Sequence, residues 1–224
     1  MNRAVIITGG GSSSRYGSRN KLLEMLAGIP VFIHSVKNLS GFAAKENTIL
    51  TVCEKDRPLF EAELEKYNLA EKITVITGGN SRLESVRKAL DTVKLEQGKI
   101  AIHDAARPLA SGKLLKMLFN DPRDNVIAAQ KVVDSIKSCN TDGKIICEID
   151  REPLWRAETP QVFDIVQYRK AMQNAPADVT DDAMVMRLAG FDVYVVRESE
   201  ENLKLTTADD LEKLEKFICS NKQY

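Results

Sequence analysis

Short apolar runs rich in valine and isoleucine alternate along this chain with segments of helical periodicity. The runs cover residues 4–8, 48–52, 73–76, 100–103, 126–132 and 193–196. Their near-continuous apolar character is typical of strands that are covered on both faces. Apolar residues recur at three- and four-residue spacing in the segments 31–39, 59–67, 83–95, 114–119 and 209–218. The alternation predicts an α/β fold, with a doubly wound, mostly parallel sheet and helices on both faces.

The chain length and one interruption of this alternation predict a single domain with a protruding arm. The 224 residues suffice for one full-sized core, so we expect one domain over residues 1–224. Residues 135–151 show two short strands around an Asn-Thr-Asp-Gly turn, in which Asp142 and Gly143 are a hairpin signal. We expect this β-arm at about 135–158. Because a two-stranded ribbon is marginal in water on its own, we expect the arm to pack against a second subunit in a homodimer.

The charge balance and the cysteine content restrict the partners of the chain. Its 32 basic and 32 acidic residues cancel, so no net field favours a nucleic acid or a membrane, and a small anionic substrate fits better. The four cysteines lack CxxC spacing and there are two histidines, which argues against a zinc site and favours reduced thiols. No signal-peptide core is visible, and no apolar run approaches the roughly 18 residues of a membrane span. We therefore expect a cytoplasmic protein.

A glycine- and serine-rich turn follows the first apolar run. Gly9, Gly10 and Gly11 can adopt positive φ without steric cost, so their N–H groups can converge on an anion. Arg15 and Lys21 then add full positive charge, as a polyphosphate site requires. The strings GxxxxGK[ST] and GxGxxG are absent, and glycine-rich strand-to-helix turns also occur without a nucleotide. The turn by itself leaves both interpretations open.

Polar or glycine-rich loops follow three of the predicted strands. They cover residues 9–21, 78–85 and 104–108. Ligands of open α/β sheets bind outside the carboxyl ends of the strands. We therefore expect these loops to meet at one edge of the sheet and to form the site.

Motifs from all parts of the chain carry a family resemblance. They are GGGSSSRYG…NK near the start, GGNSRLESV at 78–86, HDAARP at 103–108, LWRAETPQVF at 154–163, TDDA at 180–183 and NLKLTT at 202–207. With these motifs in family order, the chain resembles the 2-C-methyl-D-erythritol 4-phosphate cytidylyltransferases of the non-mevalonate isoprenoid pathway. The resemblance implies a Rossmann-like nucleotidyltransferase fold, an arm-mediated homodimer and a requirement for Mg²⁺. It also implies a reaction in which the substrate phosphate attacks the α-phosphate of CTP in line, giving 4-diphosphocytidyl-2-C-methyl-D-erythritol and pyrophosphate.

The resemblance also implies roles for individual residues. Catalytic cations are expected at Arg15, Lys21, Arg151 and Lys204. Contacts to CTP are expected at Gly9, Gly10, Gly11, Ser13, Lys21, Gly79, Asn80, Ser85, Ala105 and Lys204. Contacts to the polyol phosphate are expected at Asp104, Arg107, Ser135, Arg151, Thr159, Thr180 and Lys204.

Several of these residues have more than one interpretation. Ser85 could be only a residue in the first turn of a helix, and Asp104 could form an ion pair with Arg107 that shapes a turn. Asp104 could also contact Mg²⁺ directly or through water, although the family's metal is held chiefly by the phosphates of the nucleotide. The resemblance implies that Arg151 and Thr159 bind the polyol phosphate from the arm of the neighbouring subunit.

The glycine-rich loop departs most from the family pattern. Ser13 stands where the family has a second glycine, Asn20 replaces a proline, Leu22 replaces a glutamine, and the interval 15–21 is one residue shorter. Ser135 replaces a threonine but keeps the hydroxyl. Two alternatives stay open: a cytidylyltransferase for another polyol phosphate such as ribitol 5-phosphate, and a catalytically silent nucleotide-binding homologue.

Overall fold

The computed structural model describes residues 2–10, 20–198 and 202–221, and these residues form a central sheet with helices on both faces. The strands are β1 (Arg3–Thr8), β2 (Met25–Leu26), β3 (Ile29–Pro30), β4 (Thr48–Val52), β5 (Thr74–Thr77), β6 (Lys99–Asp104), β7 (Val126–Lys131), β8 (Ile136–Cys139), β9 (Ile145–Ile149), β10 (Trp155–Asp164) and β11 (Tyr194–Arg197). The α-helices are α1 (Val31–Leu39), α2 (Arg57–Lys66), α3 (Arg82–Thr92), α4 (Gly112–Asn120), α5 (Ile165–Gln173), α6 (Asp182–Leu188) and α7 (Ala208–Asn221).

The central sheet has seven strands in the order β11-β7-β10-β6-β1-β4-β5. The neighbours β6, β1, β4 and β5 are all parallel, and β11 is parallel to β7. Each apolar run singled out in the sequence corresponds to one of these strands. The prediction of a mostly parallel, doubly wound α/β fold is therefore confirmed.

The strand β10 was missed by the sequence analysis. It lies antiparallel between β6 and β7 and begins at Trp155, so its first residues belong to the central sheet. The boundary of about 158 for the arm was therefore too late. Pro160 argues against a central strand in a sequence, because proline cannot donate a ladder hydrogen bond. In the structure the register between β10 and β7 shifts between Ala157 and Gln161, and this irregularity accommodates the proline.

Alternation along β1 divides the hydrophobic core into two layers. Val5 and Ile7 face one cluster, which is covered by α1, α2, α4 and α7. Ala4 and Ile6 face the other cluster, which is covered by α3, α5 and α6. Each fully buried aliphatic side chain stabilises the fold by roughly 1.5–3 kcal/mol. The two layers therefore hold the strand ends in fixed positions.

The arm consists of β8 and β9, which form a separate antiparallel two-stranded sheet. Ile145, Ile146 and Ile149 are exposed on it, so the arm carries apolar surface that its own chain does not cover. None of the helices within the described residues combines the length and the apolar character that crossing a membrane requires.

Candidate active site

Three loops meet at the carboxyl ends of β1, β4, β5 and β6. The Gly9 N–H donates to the Thr51 carbonyl oxygen at 2.8 Å, and the Gly78 N–H donates to the Val52 carbonyl oxygen at 2.8 Å. On the other side of β1, the Ala105 N–H donates to the Thr8 carbonyl oxygen at 3.0 Å. These bonds place the first residues after the first, third and fourth predicted strands at one edge of the sheet, as the sequence analysis expected.

Ser85 joins the two glycine-containing loops. Its buried Oγ donates to the Ser81 carbonyl oxygen at 2.8 Å and accepts the Gly79 N–H at 3.0 Å. A Cβ added to Gly10 would lie 3.4 Å from this oxygen, and a Cβ on Gly78 would lie 2.7 Å from it. The structure therefore buries Ser85 between Gly10 and Gly78, where only very small residues can approach it.

The loop before α3 is tied to the first turns of that helix. Ser81 caps the helix by accepting the Glu84 N–H at 3.1 Å, and the Asn80 N–H donates to Glu84 Oε2 at 2.8 Å. A Cβ on Gly79 would lie 2.3 Å from Glu84 Cβ. A side chain at position 79 is thus excluded unless the start of α3 moves.

Asp104 is the charged centre of the site. It lies at the end of β6, where Oδ2 accepts from Lys204 Nζ at 2.6 Å and Oδ1 accepts from Arg82 Nε at 3.1 Å. The Thr8 hydroxyl donates to Oδ1 at 3.3 Å. Burial alone would raise the pKa of Asp104, but Arg82 and Lys204 outweigh it and hold that pKa well below its usual range. Asp104 is therefore an anion that orients two cations.

Arg82 links Asp104 to a second buried carboxylate. Its Nη2 lies 2.7 Å from Oδ2 of Asp182, which is 1% exposed at the start of α6. The Tyr168 hydroxyl donates to Asp182 Oδ1 at 2.5 Å. Burial opposes the charge of Arg82, yet Asp182 and Asp104 together raise its pKa above the usual value. Arg82 and Asp182 received no role from the sequence, although they lie within the GGNSRLESV and TDDA motifs.

The Arg107 guanidinium is held by partners other than the Asp104 carboxylate. Its Nη1 donates to the Asn202 carbonyl oxygen at 2.7 Å and lies 3.6 Å from Glu158 Oε2. Burial lowers the pKa of Arg107 and raises the pKa of Glu158. The Arg107 N–H donates to the Asp104 carbonyl oxygen at 2.9 Å, so the turn at 104–107 is shaped by the backbone. The alternative of an Asp104–Arg107 ion pair that shapes the turn is therefore wrong.

Lys21 contacts the segment that carries Lys204. Its Nζ donates to the carbonyl oxygen of Leu205, the residue that follows Lys204, at 2.8 Å. Asn20, the residue in place of the family's proline, accepts the Leu22 N–H at 3.1 Å and donates to Asp56 Oδ2 at 2.8 Å. Asn20 is thus anchored at the end of the glycine-rich loop, and Lys21 points towards the segment that carries Lys204.

Thr159 lies in the interior of the site. It belongs to β10 and is 5% exposed. Its Oγ1 accepts the Asp104 N–H at 3.0 Å and lies 3.1 Å from His103 Nδ1. Its hydroxyl therefore belongs to the same chain's Asp104 cluster, whereas Arg151 follows the arm strand β9. The expectation that both bind from the arm is wrong for Thr159.

Other predicted residues lie apart from this cluster or outside the described residues. Arg151 is exposed and donates to the Val133 carbonyl oxygen at the base of the arm. Ser135 and Thr180 are exposed, the first beside β8 and the second before α6, where its Oγ1 lies 3.7 Å from Met184 Sδ. The predicted residues outside the described part of the chain are Gly11, Ser13 and Arg15.

The described residues do not offer a protein-only metal site. Among residues 2–10, 20–198 and 202–221, no group of three His, Cys, Asp or Glu side chains is arranged to hold a metal ion. Both carboxylate oxygens of Asp104 already accept from cations. The arrangement does not fit direct coordination of Mg²⁺ by Asp104 unless Lys204 or Arg82 moves away.

The chain is similar to known proteins in sequence and in structure. A family model described as 2-C-methyl-D-erythritol 4-phosphate cytidylyltransferase matches residues 3–220. A protein of that name from Syntrophus aciditrophicus is 34% identical over 221 residues, which cover 95% of this chain and 94% of the relative. Another from Thermosynechococcus vestitus is 34% identical over 220 residues, covering 96% and 94%.

Solved structures with the same fold carry related names. The crystal structure of Francisella tularensis 2-C-methyl-D-erythritol 4-phosphate cytidylyltransferase aligns with a TM-score of 0.78 and 27% identity over 100% of both chains. The structure of 4-diphosphocytidyl-2C-methyl-D-erythritol synthase from Anaerococcus prevotii has a TM-score of 0.82, with 23% identity over 97% of this chain and 98% of that one. The similarity to the Anaerococcus prevotii structure shows a shared fold.

Proposed function

This chain belongs to the 2-C-methyl-D-erythritol 4-phosphate cytidylyltransferase family, and we propose that it performs the family's reaction in the cleft around Asp104. The reaction joins CTP and 2-C-methyl-D-erythritol 4-phosphate into 4-diphosphocytidyl-2-C-methyl-D-erythritol and releases pyrophosphate. An oxygen of the substrate phosphate forms a bond to the α-phosphorus of CTP. The bond from that phosphorus to the bridging oxygen breaks, and its electron pair leaves with pyrophosphate.

The observation that carries this proposal is the convergence of two lysines on one carboxylate-centred cleft. Lys21 ends the glycine-rich loop and reaches the carbonyl oxygen of Leu205, while the adjacent Lys204 contacts Asp104. Negative charge accumulates on the α-phosphate oxygens during phosphoryl transfer, so positioning and fixed cations supply most of the catalysis. Lys21 and Lys204 are the catalytic cations of the proposal, together with Arg15, which lies outside the described residues.

The glycine loops are the proposed site of the nucleotide. The base would lie against the backbone of Gly10 and Gly79, where an added Cβ would come within 3.4 Å of Ser85 Oγ and 2.3 Å of Glu84 Cβ, respectively. The N–H groups of Gly78, Gly79 and Asn80 already donate within the protein, so a pyrimidine would contact the remaining backbone of this surface. Asn80 and Ala105 present further backbone at the same edge of the sheet.

Mg²⁺ enters this proposal with the nucleotide. Mg²⁺ usually keeps several waters and takes few protein ligands together with the phosphates of its substrate. The pairing of Asp104 with Arg82 and Lys204 supports binding of Mg²⁺ through the nucleotide, because both carboxylate oxygens of Asp104 already accept hydrogen bonds. The metal would neutralise charge on the triphosphate, and the side chains of the cleft would orient that triphosphate.

The proposal includes a homodimer through the arm. The exposed Ile145, Ile146 and Ile149 support it, since exposed apolar side chains on a two-stranded ribbon call for a covering partner. Arg151 follows this ribbon and would contribute its guanidinium to the phosphate in the neighbouring subunit, a planar bidentate contact that arginine makes well. Sedimentation of the purified protein should give a dimer, and a monomer at micromolar concentration would contradict the arm argument.

A cytoplasmic location completes the proposal. Cys139 and Cys147 are exposed and unpaired on the arm, which suits a reducing compartment.

Pyrophosphate release from the purified protein tests the reaction. The protein is incubated with CTP and Mg²⁺ and with either methylerythritol 4-phosphate or ribitol 5-phosphate, and Lys21→Ala is the control. We expect release with methylerythritol 4-phosphate alone, and loss of that release in Lys21→Ala. Release with ribitol 5-phosphate alone would reassign the substrate, and binding of CTP without release in either case would indicate a silent homologue.

A further inference from the structure

His103 is a buried titratable residue to which the proposed reaction gives no role. It lies in β6 directly before Asp104, and it has no exposed surface. Each of its ring nitrogens has one partner: Nε2 lies 3.1 Å from the Arg107 carbonyl oxygen, and Nδ1 lies 3.1 Å from Thr159 Oγ1. The ring therefore connects the far end of the 104–107 turn to β10.

These partners determine the position of the ring proton. A carbonyl oxygen can only accept a hydrogen bond, so Nε2 of His103 must carry the proton that bonds to Arg107. The ring is buried and its two hydrogen-bond partners are uncharged, which favours the neutral imidazole. Nδ1 is then an unprotonated acceptor, and its contact with Thr159 requires the threonine hydroxyl to donate.

The Thr159 hydroxyl has a single proton and can also accept. It accepts the Asp104 N–H at 3.0 Å. The hydrogen bonds therefore run in one direction, from the Asp104 N–H to Thr159, from Thr159 to His103 Nδ1, and from His103 Nε2–H to the Arg107 carbonyl. Both ends of the turn that presents Asp104 and Arg107 are attached to this chain of bonds.

We propose that His103 and Thr159 are positioning residues that fix the 104–107 turn, and that Thr159 has no proton to donate to the substrate phosphate. The inference rests on the proposed function for what the turn presents, and it revises the contact to the polyol phosphate that the family resemblance implies for Thr159. Phosphate oxygens accept hydrogen bonds, so their donors in the cleft are the cations and free N–H groups. Ser35 supports the same turn, since its Oγ donates to the Ala105 carbonyl oxygen at 3.0 Å.

Nitrogen-15 NMR of the histidine rings tests this assignment directly. The chain has two histidines, so a His34→Gln variant identifies the His103 signals. We expect a protonated Nε2 and an unprotonated, hydrogen-bonded Nδ1 between about pH 5 and 8. A protonated Nδ1 in that range would overturn the proposal, because the Thr159 proton would then be available to a ligand.

Two substitutions and one titration separate the positioning role from phosphate binding. Thr159→Val keeps the shape of the side chain and removes the hydroxyl. The chemical shift of His103 Nδ1 should then change to the value of an unprotonated ring nitrogen that accepts no hydrogen bond. Thr159→Ser should keep the parent signal. An unchanged Nδ1 signal in Thr159→Val would overturn the proposal. If Thr159→Val does not fold, a titration of the parent protein with methylerythritol 4-phosphate decides. The titration is followed until the amide signals stop changing. The chemical shift of His103 Nδ1 should stay constant, and a change in that shift would overturn the proposal.

The activity readout is separate from these spectra. Misplacement of the turn should lower kcat/KM of Thr159→Val by up to about a hundredfold, with recovery in Thr159→Ser. The fall should appear mainly in kcat, whereas loss of a phosphate donor would appear mainly as a higher KM for the polyol phosphate. The spectra require no turnover, so failure of the proposed reaction and failure of the His103 assignment are distinguishable.

Discussion

Lys204 Nζ lies 2.6 Å from Asp104 Oδ2, although 100 residues separate the two in the chain. The carboxylate is held ionised by its cations, since Arg82 and Lys204 keep the pKa of Asp104 well below its usual range despite its burial. Asp104 therefore orients the ammonium group before a phosphate arrives. A cation placed in advance costs little reorganisation when charge develops on the α-phosphate.

Removal of the Lys204 charge should abolish most of the activity. Lys204→Met keeps the length of the side chain and deletes the cation, so we expect kcat to fall about a hundred- to a thousandfold, as for a deleted preorganised donor. Pyrophosphate release measures the effect. Lys213→Met is the matched control, because Lys213 is an exposed lysine of α7 with a 3.5 Å contact to Asp210. A Lys204→Met protein as active as the parent would contradict the assignment.

Arg82 should be required for the stability of the fold as well as for the position of Asp104. Arg82→Met leaves the buried Asp182 without its cation, which should lower the free energy of unfolding by about 3–5 kcal/mol. Urea denaturation measures this change. In the Arg82→Met background, Asp182→Asn should recover part of the loss because it removes the uncompensated charge. If Asp182→Asn recovered none of the lost stability, the Arg82–Asp182 ion pair would not be the cause of the loss.

The control for Arg82 is an arginine in an exposed ion pair. Arg57 Nε lies 2.8 Å from Glu61 Oε1 on the surface of α2. Arg57→Met should cost about 0.3–0.5 kcal/mol, as exposed helix pairs do. A similar loss for both variants would indicate a general effect of removing an arginine.

The burial of His103 predicts a loss of stability in weak acid. Burial lowers the pKa of His103 from 6.5 to about 4, so between these values the unfolded chain binds more protons than the folded one. The free energy of unfolding then falls as the pH falls from about 6.5 towards 4, by of order 3 kcal/mol in total from this residue. Denaturant midpoints between about pH 7 and 5 should show the slope before the carboxylates titrate. His103→Gln should remove that slope, whereas His34→Gln should retain it.

The glycine at position 79 should be required for nucleotide binding. A Cβ there would lie 2.3 Å from Glu84 Cβ, so Gly79→Ala must displace the start of α3 and disturb the bonds from the Gly79 N–H to Ser85 Oγ and from the Asn80 N–H to Glu84 Oε2. We expect a higher KM for CTP, a smaller change in KM for the polyol phosphate, and a loss of about 1–3 kcal/mol in stability. Gly41→Ala is the control, because a Cβ there would meet no atom within 4 Å. Equal effects on both substrates would contradict a site specific to the nucleotide.

The sequence predicted the parallel part of the fold because those strands are covered on both faces and are apolar throughout. It missed β10 because Pro160 lies within it and because Arg156 and Glu158 interrupt its apolar pattern. The motifs identified Asp104 and Lys204 separately, but their contact depends on how the chain returns to β6 after α6 and β11. Arg82 and Asp182 were within recognised motifs without a role, since the direction of a side chain follows from tertiary packing.

The arm should act on the neighbouring subunit, and mixing two inactive variants tests this. Arg151→Ala damages the arm, and Lys204→Met damages the cleft. In a mixed dimer one site would receive an intact arm and keep an intact cleft, so an equal mixture should regain roughly a quarter of the parent activity for a two-fold symmetric dimer. Lys204→Met mixed with Lys21→Ala is the control, because both changes lie in the cleft and no combination of arms restores it. Activity that stays absent in the first mixture, with subunit exchange verified by sedimentation of tagged chains, would place Arg151 in its own subunit's site.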